Sequence, residues 1–337
     1  MTTTAPDTGT PSGILQLANA FCDAKAVLTA VELGLFTTLH DNPAGQEEIR
    51  GALGLHGRGL ADWLDLLVEL DLLAKEDGRY HNRPGADRYL VRGQESYIGG
   101  FIERSNRNLY PAWGRLSEAL RTGESQTGSS FDAVVQNPKI LGQFIHSMDA
   151  FTRVLGPQLI SAYDGWSGYG SVLDVGGCRG ALTAQIVKAH PHLSGKVFDL
   201  PQMEPFFDEL VAEKSLADRV TFHGGDFFAD PLPSADIVVL GHVLHDWDRD
   251  QRGLLVRKAY ESVNPGGVLL VYDRILDRAS SRSANLLVSL DMLLVTDGGS
   301  EYGVGELREH MEGAGFTGVT AQDLGEDDTL VIARKAR

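Results

Sequence analysis

The sequence predicts a doubly wound, mostly parallel α/β sheet preceded by a mainly helical domain of winged-helix type. Three observations predict it. From Ser171 onward, short apolar runs alternate with helical stretches, the pattern of a parallel sheet covered by helices on both faces. A glycine-rich turn, Asp174 to Gly180, follows the first of these runs and opens a helix. Before Gly165 the chain reads as helices interrupted by one tight hairpin.

At 337 residues the chain suits two domains. Residues 1–12 are rich in Thr, Pro and Gly and carry neither a basic nor an apolar stretch. They are expected to form a disordered tail, not a signal peptide. Residues 13–165 form the helical domain. Its first stretch, Gly13 to His40, is apolar, but Asp23, Lys25 and Glu32 interrupt any membrane-length run. Ile14 to Leu39 reads as an amphipathic helix broken at Leu33-Gly34, followed by helical patterns at Gln46–Leu53 and Gly59–Leu70. Leu72 to Ala74 and Arg79 to His81 flank the turn Asp77-Gly78 as a hairpin. The candidate recognition helix of this winged-helix pattern carries Asp62, Asp65 and Glu69 and no cation between Leu60 and Leu70, which argues against DNA binding. Tyr97–Arg121 and Pro138–Phe151 are further helical patterns around a polar loop at Thr122–Ser130, and Gly165 to Gly170 marks the expected domain boundary.

Residues 166–337 form the sheet domain. Strands are expected at Val172–Val175, Lys196–Asp199, Val220–Phe222, Ile237–Leu240 and Val268–Tyr272, with helices at Ala181–His190 and Arg249–Val263. Thr329 to Arg334 is a last strand at or near an edge. The layout is Rossmann-like.

A formal net charge of −16 and a sequence pI near 5.0 set the surface against nucleic acid and anionic membranes. The expected partner is a small molecule. Cys22 and Cys178 are the two cysteines, far apart and without metal-type spacing, which fits a cytoplasmic location.

The turn Asp174-Val-Gly-Gly-Cys-Arg-Gly180 fails the dinucleotide fingerprint, because Cys178 and Ala181 stand where glycines are required, and no Gly-Lys-Ser/Thr makes it a P-loop. What remains is an acidic residue followed by Gly176, Gly177 and Gly180, which suits a ligand with a cationic amino group. S-adenosylmethionine carries such a group and a sulfonium. The second strand ends in Asp199, placed to accept two hydrogen bonds from ribose hydroxyls. Asp226 and Phe227 follow the third strand and suit an adenine amine and its ring face. Leu200 beside Asp199 and Gly241 after the fourth strand complete the expected cofactor set.

With these motifs in view, the chain resembles the plant-type and actinobacterial small-molecule O-methyltransferases, which include acetylserotonin O-methyltransferase and antibiotic-tailoring enzymes. The resemblance runs from about Leu15 to Ala333. It is carried by VLDVGGCRG (172–180), FDLP (198–201), GGDFF (224–228), LHDWD (244–248), NPGG (264–267) and GGSEY (298–302). It implies a class I methyltransferase fold, S-adenosylmethionine as cofactor with S-adenosylhomocysteine as product, and an intertwined homodimer made by the first domain. Cys178 departs from the family's usual third glycine.

Methyl transfer to a hydroxyl needs the oxygen deprotonated as it attacks, and a histidine suits that base role. The resemblance puts the base on His245 and acidic partners on Asp273 and Glu301. Asp273 is one methylene shorter than the glutamate common in the family, so its reach to His245 is left to the structure. From the residues alone, His245 is equally a helix-start residue held by Asp246 or Asp248. His242 and His245 with Asp246 suggest a metal by spacing, but the resembling enzymes are metal-independent and none is expected. Candidate substrate residues are Arg104, Asn108, Tyr110 and Trp113, and further along Phe144, Met148, Phe151, Ser289 and Met292. The expected reaction is O-methylation of a hydroxyl in secondary metabolism. One alternative is S-methylation, since Tyr97–Thr122 and GGSEY are also similar to bacterial enzymes that methylate a methylthio-hydroxy acid on the way to dimethylsulfoniopropionate. Another is a non-methylating relative on the same fold.

Overall fold

The computed structural model describes residues 7–127, 131–276 and 282–337. Backbone contacts gather the chain into two compact units, one ending at Tyr110 and the other spanning Pro111–Arg337.

In the first unit, helix Pro11–Ala18 starts inside the expected tail, because Thr10 caps it by accepting from Gly13 N at 3.1 Å. Residues 1–6 of that tail lie outside the described residues. The single amphipathic helix expected over 14–39 is three: Pro11–Ala18, Ala20–Leu33 and Leu35–Leu39, with Gly34 at φ 75° making the second break. Pro11–Leu33 contains a stretch of mean hydropathy 1.3, long and apolar enough to cross a membrane by length and composition, and only 11% of that stretch is buried within the chain. Helices Gln46–Leu53 and Leu60–Glu69 follow. Strands β1 (Ala44–Gly45), β2 (Leu73–Glu76) and β3 (Arg79–Asn82) form an antiparallel sheet in the order β1-β3-β2. Asp77 and Gly78 both take positive φ at the hairpin tip, as a two-residue turn requires. Leu35, Phe36, Ile49, Leu64, Leu67 and Leu73 pack into one core.

The second unit is built on a seven-stranded sheet. Its strands are β4 (Ser171–Val175), β5 (Ser194–Asp199), β6 (Val220–Gly224), β7 (Ala235–Gly241), β8 (Val263–Asp273), β9 (Thr317–Leu324) and β10 (Asp328–Arg334). The order is β6-β5-β4-β7-β8-β10-β9, parallel through β8 and antiparallel at β10 and β9. The chain winds outward from β4 to β6 and returns to β7, so the strand order reverses between β4 and β7. Ligands bind at such a switch point, outside the carboxyl ends of the strands. The edge opposite β6 is β9, which sequence reading omitted; its mostly exposed residues hide the pattern. Alternate side chains serve opposite faces: Val172, Ile237 and Val239 join one core, Leu173, Val238 and Leu240 the other.

The boundary expected near Gly165 and the compact division at Tyr110 differ for a physical reason. Helix Pro138–Ala162 continues past Phe151 and through Pro157, and its Leu155 and Leu159 are buried in the same cluster as Leu182 and Ile186. Helices Glu204–Glu213, Ser283–Val295 and Val304–Ala314 complete the layers. Of the expected polar loop Thr122–Ser130, Thr122 ends a helix, residues 123–127 are non-helical, and 128–130 lie outside the described residues.

Candidate active site

The glycine turn after β4 is defined by its backbone. Gly176 sits at φ 71°, and a Cβ there would come within 2.7 Å of the Val243 side chain. A Cβ on Gly241, at the end of β7, would stand 2.0 Å from the Tyr272 ring. Gly177 and Gly180 complete the turn, and Gly180 begins helix Ala181–Ala189. Cys178 takes φ 54°, a left-handed conformation that a side chain disfavours by about 1 kcal/mol. Its N–H donates to Asp199 Oδ2 at 2.7 Å. Burial pushes its thiol well above the ordinary value. Arg179 is tied by an ion pair to Asp149 on helix Pro138–Ala162, with side chains only 15% and 6% exposed. Sequence reading missed this pair, since nothing local links residues thirty apart.

Two carboxylates face this turn, Asp174 buried and Asp199 half-buried. Asp174, near the end of β4, accepts from Thr183 Oγ1 at 3.1 Å; burial pushes its carboxyl up to about 7, against Thr183, and the charge of Asp199 adds to the rise. Asp199 ends β5. Its two oxygens accept from Cys178 N and Leu200 N, both at 2.7 Å, yet burial still pushes it to about 6. Carboxyls strained toward neutrality are suited to a ligand that brings a cation and hydroxyl donors. Asp226 is exposed; its carboxylate accepts from Phe228 N at 2.8 Å, and its N–H donates to Asp230. Phe227 stands edge-on to Phe228 and Trp247 at 5.0 and 5.7 Å.

At the ends of β7 and β8 lies a second cluster. His245 sits in the single turn Leu244–Asp246, 7% exposed. Asp248 caps Arg249–Ser262 through Gln251 and does not hold His245, whereas Asp246 Oδ1 lies 3.7 Å from His245 Nε2. His245 Nδ1 lies 2.7 Å from Glu301 Oε1 in a hydrogen bond, and 3.6 Å from Asp273 Oδ1. The shorter Asp273 therefore faces His245 without closing a hydrogen bond. Its other oxygen, Oδ2, accepts from the Tyr302 hydroxyl. Burial disfavours the charge on His245, but Asp273, Glu301 and Asp246 outweigh it and push the imidazole up to about 10. Asp273, fully buried, is raised to about 7 by burial, with His245 pulling it down and Glu301 pushing it up. His242, His245 and Asp273 bring donor atoms within 4.8 Å of one another; both imidazoles are turned toward carboxylates, as in an acid–base network.

Arg252 holds this cluster in place. Buried on helix Arg249–Ser262, it donates from Nε to Glu306 at 2.9 Å and from Nη1 to the carbonyls of Trp247 and Ser300 at 2.5 and 3.4 Å, and it lies over the Tyr302 ring. It joins the His245 turn to the Glu301 loop, which are also linked by Ser300 N donating to His245 O at 2.9 Å. The residues around LHDWD and GGSEY were the signal available for Arg252 and Tyr302.

The substrate candidates divide between the units. Arg104 ends helix Gly99–Arg104, Asn108 lies in the π-helical turn Ser105–Leu109, and Tyr110 has Lys25 over its ring, all in the first unit. In the second, Ser289 Oγ accepts from Glu301 N at 3.2 Å, which brings it to the acid–base cluster. Phe144, like Cys178, packs against the cluster of Leu141, Ile145 and Met203, and the Phe151 ring lies 6.1 Å from that of His242. Trp113 is engaged with Asp291 at 2.6 Å. Met292 is buried in helix Ser283–Val295, and Met148 is half-buried and its carbonyl is bonded by Thr152.

Residues 113–317 match the family model of the O-methyltransferase domain, and residues 15–92 match that of the O-methyltransferase dimerisation domain. The chain belongs to the O-methyltransferase family. It is 44% identical over 331 residues, 97% of each chain, to the tetracenomycin polyketide synthesis 8-O-methyl transferase of Streptomyces glaucescens. To the N,N-dimethyltransferase OxyT of Streptomyces rimosus it is 41% identical, with 96% of each chain covered. The structure of human N-acetylserotonin methyltransferase with S-adenosylmethionine superposes with a TM-score of 0.89 at 27% identity, covering 98% of this chain and 99% of that one. The enzyme is thus an S-adenosylmethionine-dependent methyltransferase with a class I fold and a dimerisation domain. These matches give the S-methylation alternative no support.

Proposed function

We propose that the enzyme methylates a phenolic hydroxyl of an aromatic, polyketide-like small molecule, with His245 as general base. The observation that carries this is the 2.7 Å bond from His245 Nδ1 to Glu301. A carboxylate on Nδ1 fixes a proton there; the surrounding acids, Asp246 at 3.7 Å from Nε2 among them, favour the imidazolium, and the positive charge of a bound cofactor beside the ring would offset them and free Nε2 to accept a proton. When bound, S-adenosylmethionine supplies an electrophilic methyl on a positively charged sulfur. Asp174 would receive its amino group, Asp199, held by the amide of Leu200, would take its ribose hydroxyls, and Asp226 and Phe227 would border its adenine. Gly176, Gly177, Gly180 and Gly241 keep side chains out of its way. His245 takes the acceptor's proton at Nε2 as the oxygen gains the methyl; Glu301 and Asp273 then stabilise the imidazolium. Positioning of acceptor and methyl in line supplies most of the rate. Ser289 and Phe151, next to the cluster, border the acceptor.

The substrate class follows the relatives: one is named for 8-O-methyl transfer in tetracenomycin polyketide synthesis, and another, of Streptomyces sahachiroi and 33% identical over 308 residues, is a 3-hydroxy-5-methyl-1-naphthoate 3-O-methyltransferase, whose acceptor is aromatic. A homodimer is supported by the dimerisation-domain match and by Ile14, Leu15, Leu17 and Phe21, each more than half exposed in the single chain. The free cysteines Cys22 and Cys178 suit a cytoplasmic enzyme.

Calorimetric titration with S-adenosylhomocysteine, followed by a turnover screen of hydroxylated naphthoates and tetracyclic phenols, tests the reading. Binding and methyl incorporation into a phenol are expected. A protein that binds no cofactor, or binds it and methylates only amines, would sink the O-methylation proposal.

A further inference from the structure

Helix Pro138–Ala162 is held in two unlike ways along its length. Its second half belongs to the main core: Leu155 and Leu159 are buried with Leu182 and Ile186, and Gln185 donates to the Thr152 carbonyl at 3.2 Å. There the Phe151 ring approaches His242, whose Nε2 lies 2.9 Å from Asp328 Oδ1. The first half lies outside that core. Leu141 and Ile145 are buried in a small cluster with Met203, against which Phe144, Phe206 and Cys178 pack. Met203 closes the single turn Pro201–Met203 that follows Asp199, and Cys178 lies in the glycine turn. The first half therefore rests on both segments assigned to the cofactor, the turn after β4 and the end of β5.

Asp149 stands where the two halves meet. Its Oδ2 accepts a charged hydrogen bond from Arg179 Nη2, and both side chains are largely buried. Arg179 is itself part of the turn, between Cys178, whose N–H is held by Asp199, and Gly180 at φ 82°. Adhesion alone does not call for such a pair. Burying two charges costs desolvation, and apolar side chains of like volume often hold as well or better. Apolar contacts are also non-directional, so the small cluster sets how closely the first half sits but not its orientation. A charge-assisted hydrogen bond sets direction as well as distance, and here it refers that direction to the backbone of the turn.

We propose that Asp149 and Arg179 are a positioning pair: they lock the first half of helix Pro138–Ala162 to the cofactor turn, so that a cofactor seated in the turn stiffens the wall carrying Phe144 and Met148. Those two are candidate acceptor residues of this helix. The proposal rests on the turn being the cofactor site. Neither member of the pair is assigned a contact with the reacting atoms; both act through the helix.

Hydrogen exchange of the full-length enzyme, read by mass spectrometry with and without saturating S-adenosylhomocysteine, tests this. In the wild type the ligand should slow exchange about tenfold in the turn, residues 176–181, and also in the helix, residues 140–148. The double variant Asp149→Leu/Arg179→Met replaces the pair by apolar side chains and is expected to stay folded. Its turn should remain protected by the ligand, while the ligand-dependent protection of residues 140–148 falls below about twofold. A pair that only holds the fold together would alter exchange equally with and without ligand and leave the difference intact. That outcome, or a wild-type helix whose exchange the ligand leaves unchanged, overturns the proposal. Calorimetry on the same samples tells two failures apart: a wild-type protein that binds no S-adenosylhomocysteine overturns the cofactor site and this proposal with it. Should the double variant not fold, Asp149→Asn, which keeps the shape and removes the charge, is read by the same criterion.

Discussion

The glycine turn and the acid–base cluster sit at the same edge of one sheet, yet they are built differently. The turn is local: Gly176 to Gly180 form one strand–turn–helix connection, and much of what they offer is backbone. The cluster is assembled from four separated segments, with His245 after β7, Asp273 ending β8, Glu301 in a loop and Asp328 starting β10. A site made of amides should tolerate side-chain change, and Cys178, standing where the resembling enzymes usually carry glycine, still donates its N–H to Asp199. A site made of side chains depends on every scaffold contact, such as Arg252 binding two carbonyls and Glu306 at once.

The contrast is sharpest in the effect of removing one side chain. His245→Ala should lower kcat by about 10²- to 10⁴-fold, the usual contribution of a positioned base, while S-adenosylhomocysteine affinity stays near wild type. Steady-state kinetics beside calorimetry separates the two. Near-normal turnover would mean that the cluster is structural and that positioning alone suffices.

On the cofactor side, Asp174→Asn should weaken S-adenosylhomocysteine binding by about ten- to a hundredfold, since a charge-assisted hydrogen bond to a buried carboxylate contributes roughly 1.5–3 kcal/mol. Turnover at saturating cofactor should fall much less. If kcat and affinity collapsed together, the two regions would be one coupled unit.

What could be read from the sequence follows the same division. The turn, the strand-end Asp199 and the order of β4 to β8 were legible because each is a contiguous pattern of glycine, acid and apolar run. The Asp149–Arg179 pair, Arg252 and the Asp328–His242 contact were not, because each joins segments whose adjacency exists only after folding. The sequence named His245, Asp273 and Glu301 through family resemblance; spacing alone says nothing of a 2.7 Å contact between residues 245 and 301. The edge strand β9 was hidden by its mostly exposed residues, and helix Pro138–Ala162 was ended too early because its buried face continues past Phe151 and through Pro157.

Proton coupling provides a smaller test. Burial pushes Asp174 to about 7 and Asp199 to about 6. An acid raised above its ordinary value favours the folded free enzyme at low pH, and that contribution is lost as pH rises toward the folded value. The ligand's ammonium needs the ionised form. Affinity for S-adenosylhomocysteine should therefore rise from about pH 5 to about pH 8, by about tenfold, while the free enzyme loses thermal stability over the same window. Calorimetry and melting curves at matched pH report both; an affinity flat with pH in wild type would remove the role given to Asp174.

The smallest effect is expected at Cys178. Cys178→Gly removes the left-handed strain, worth about 1 kcal/mol. It also loses side-chain packing against the cluster of Leu141, Ile145 and Met203, worth about 1 kcal/mol, and frees the unfolded chain by about 0.5–1 kcal/mol. The balance is a loss below about 1 kcal/mol, which lowers Tm by a few degrees at most. The bond to Asp199 Oδ2 comes from the backbone N–H and survives the change, so S-adenosylhomocysteine affinity should stay within about twofold, well under the 1.4 kcal/mol of a tenfold change. A larger loss of affinity with an unchanged Tm would show that the cofactor turn depends on this side chain after all, and the distinction between a backbone site and a side-chain site would fail at its clearest point.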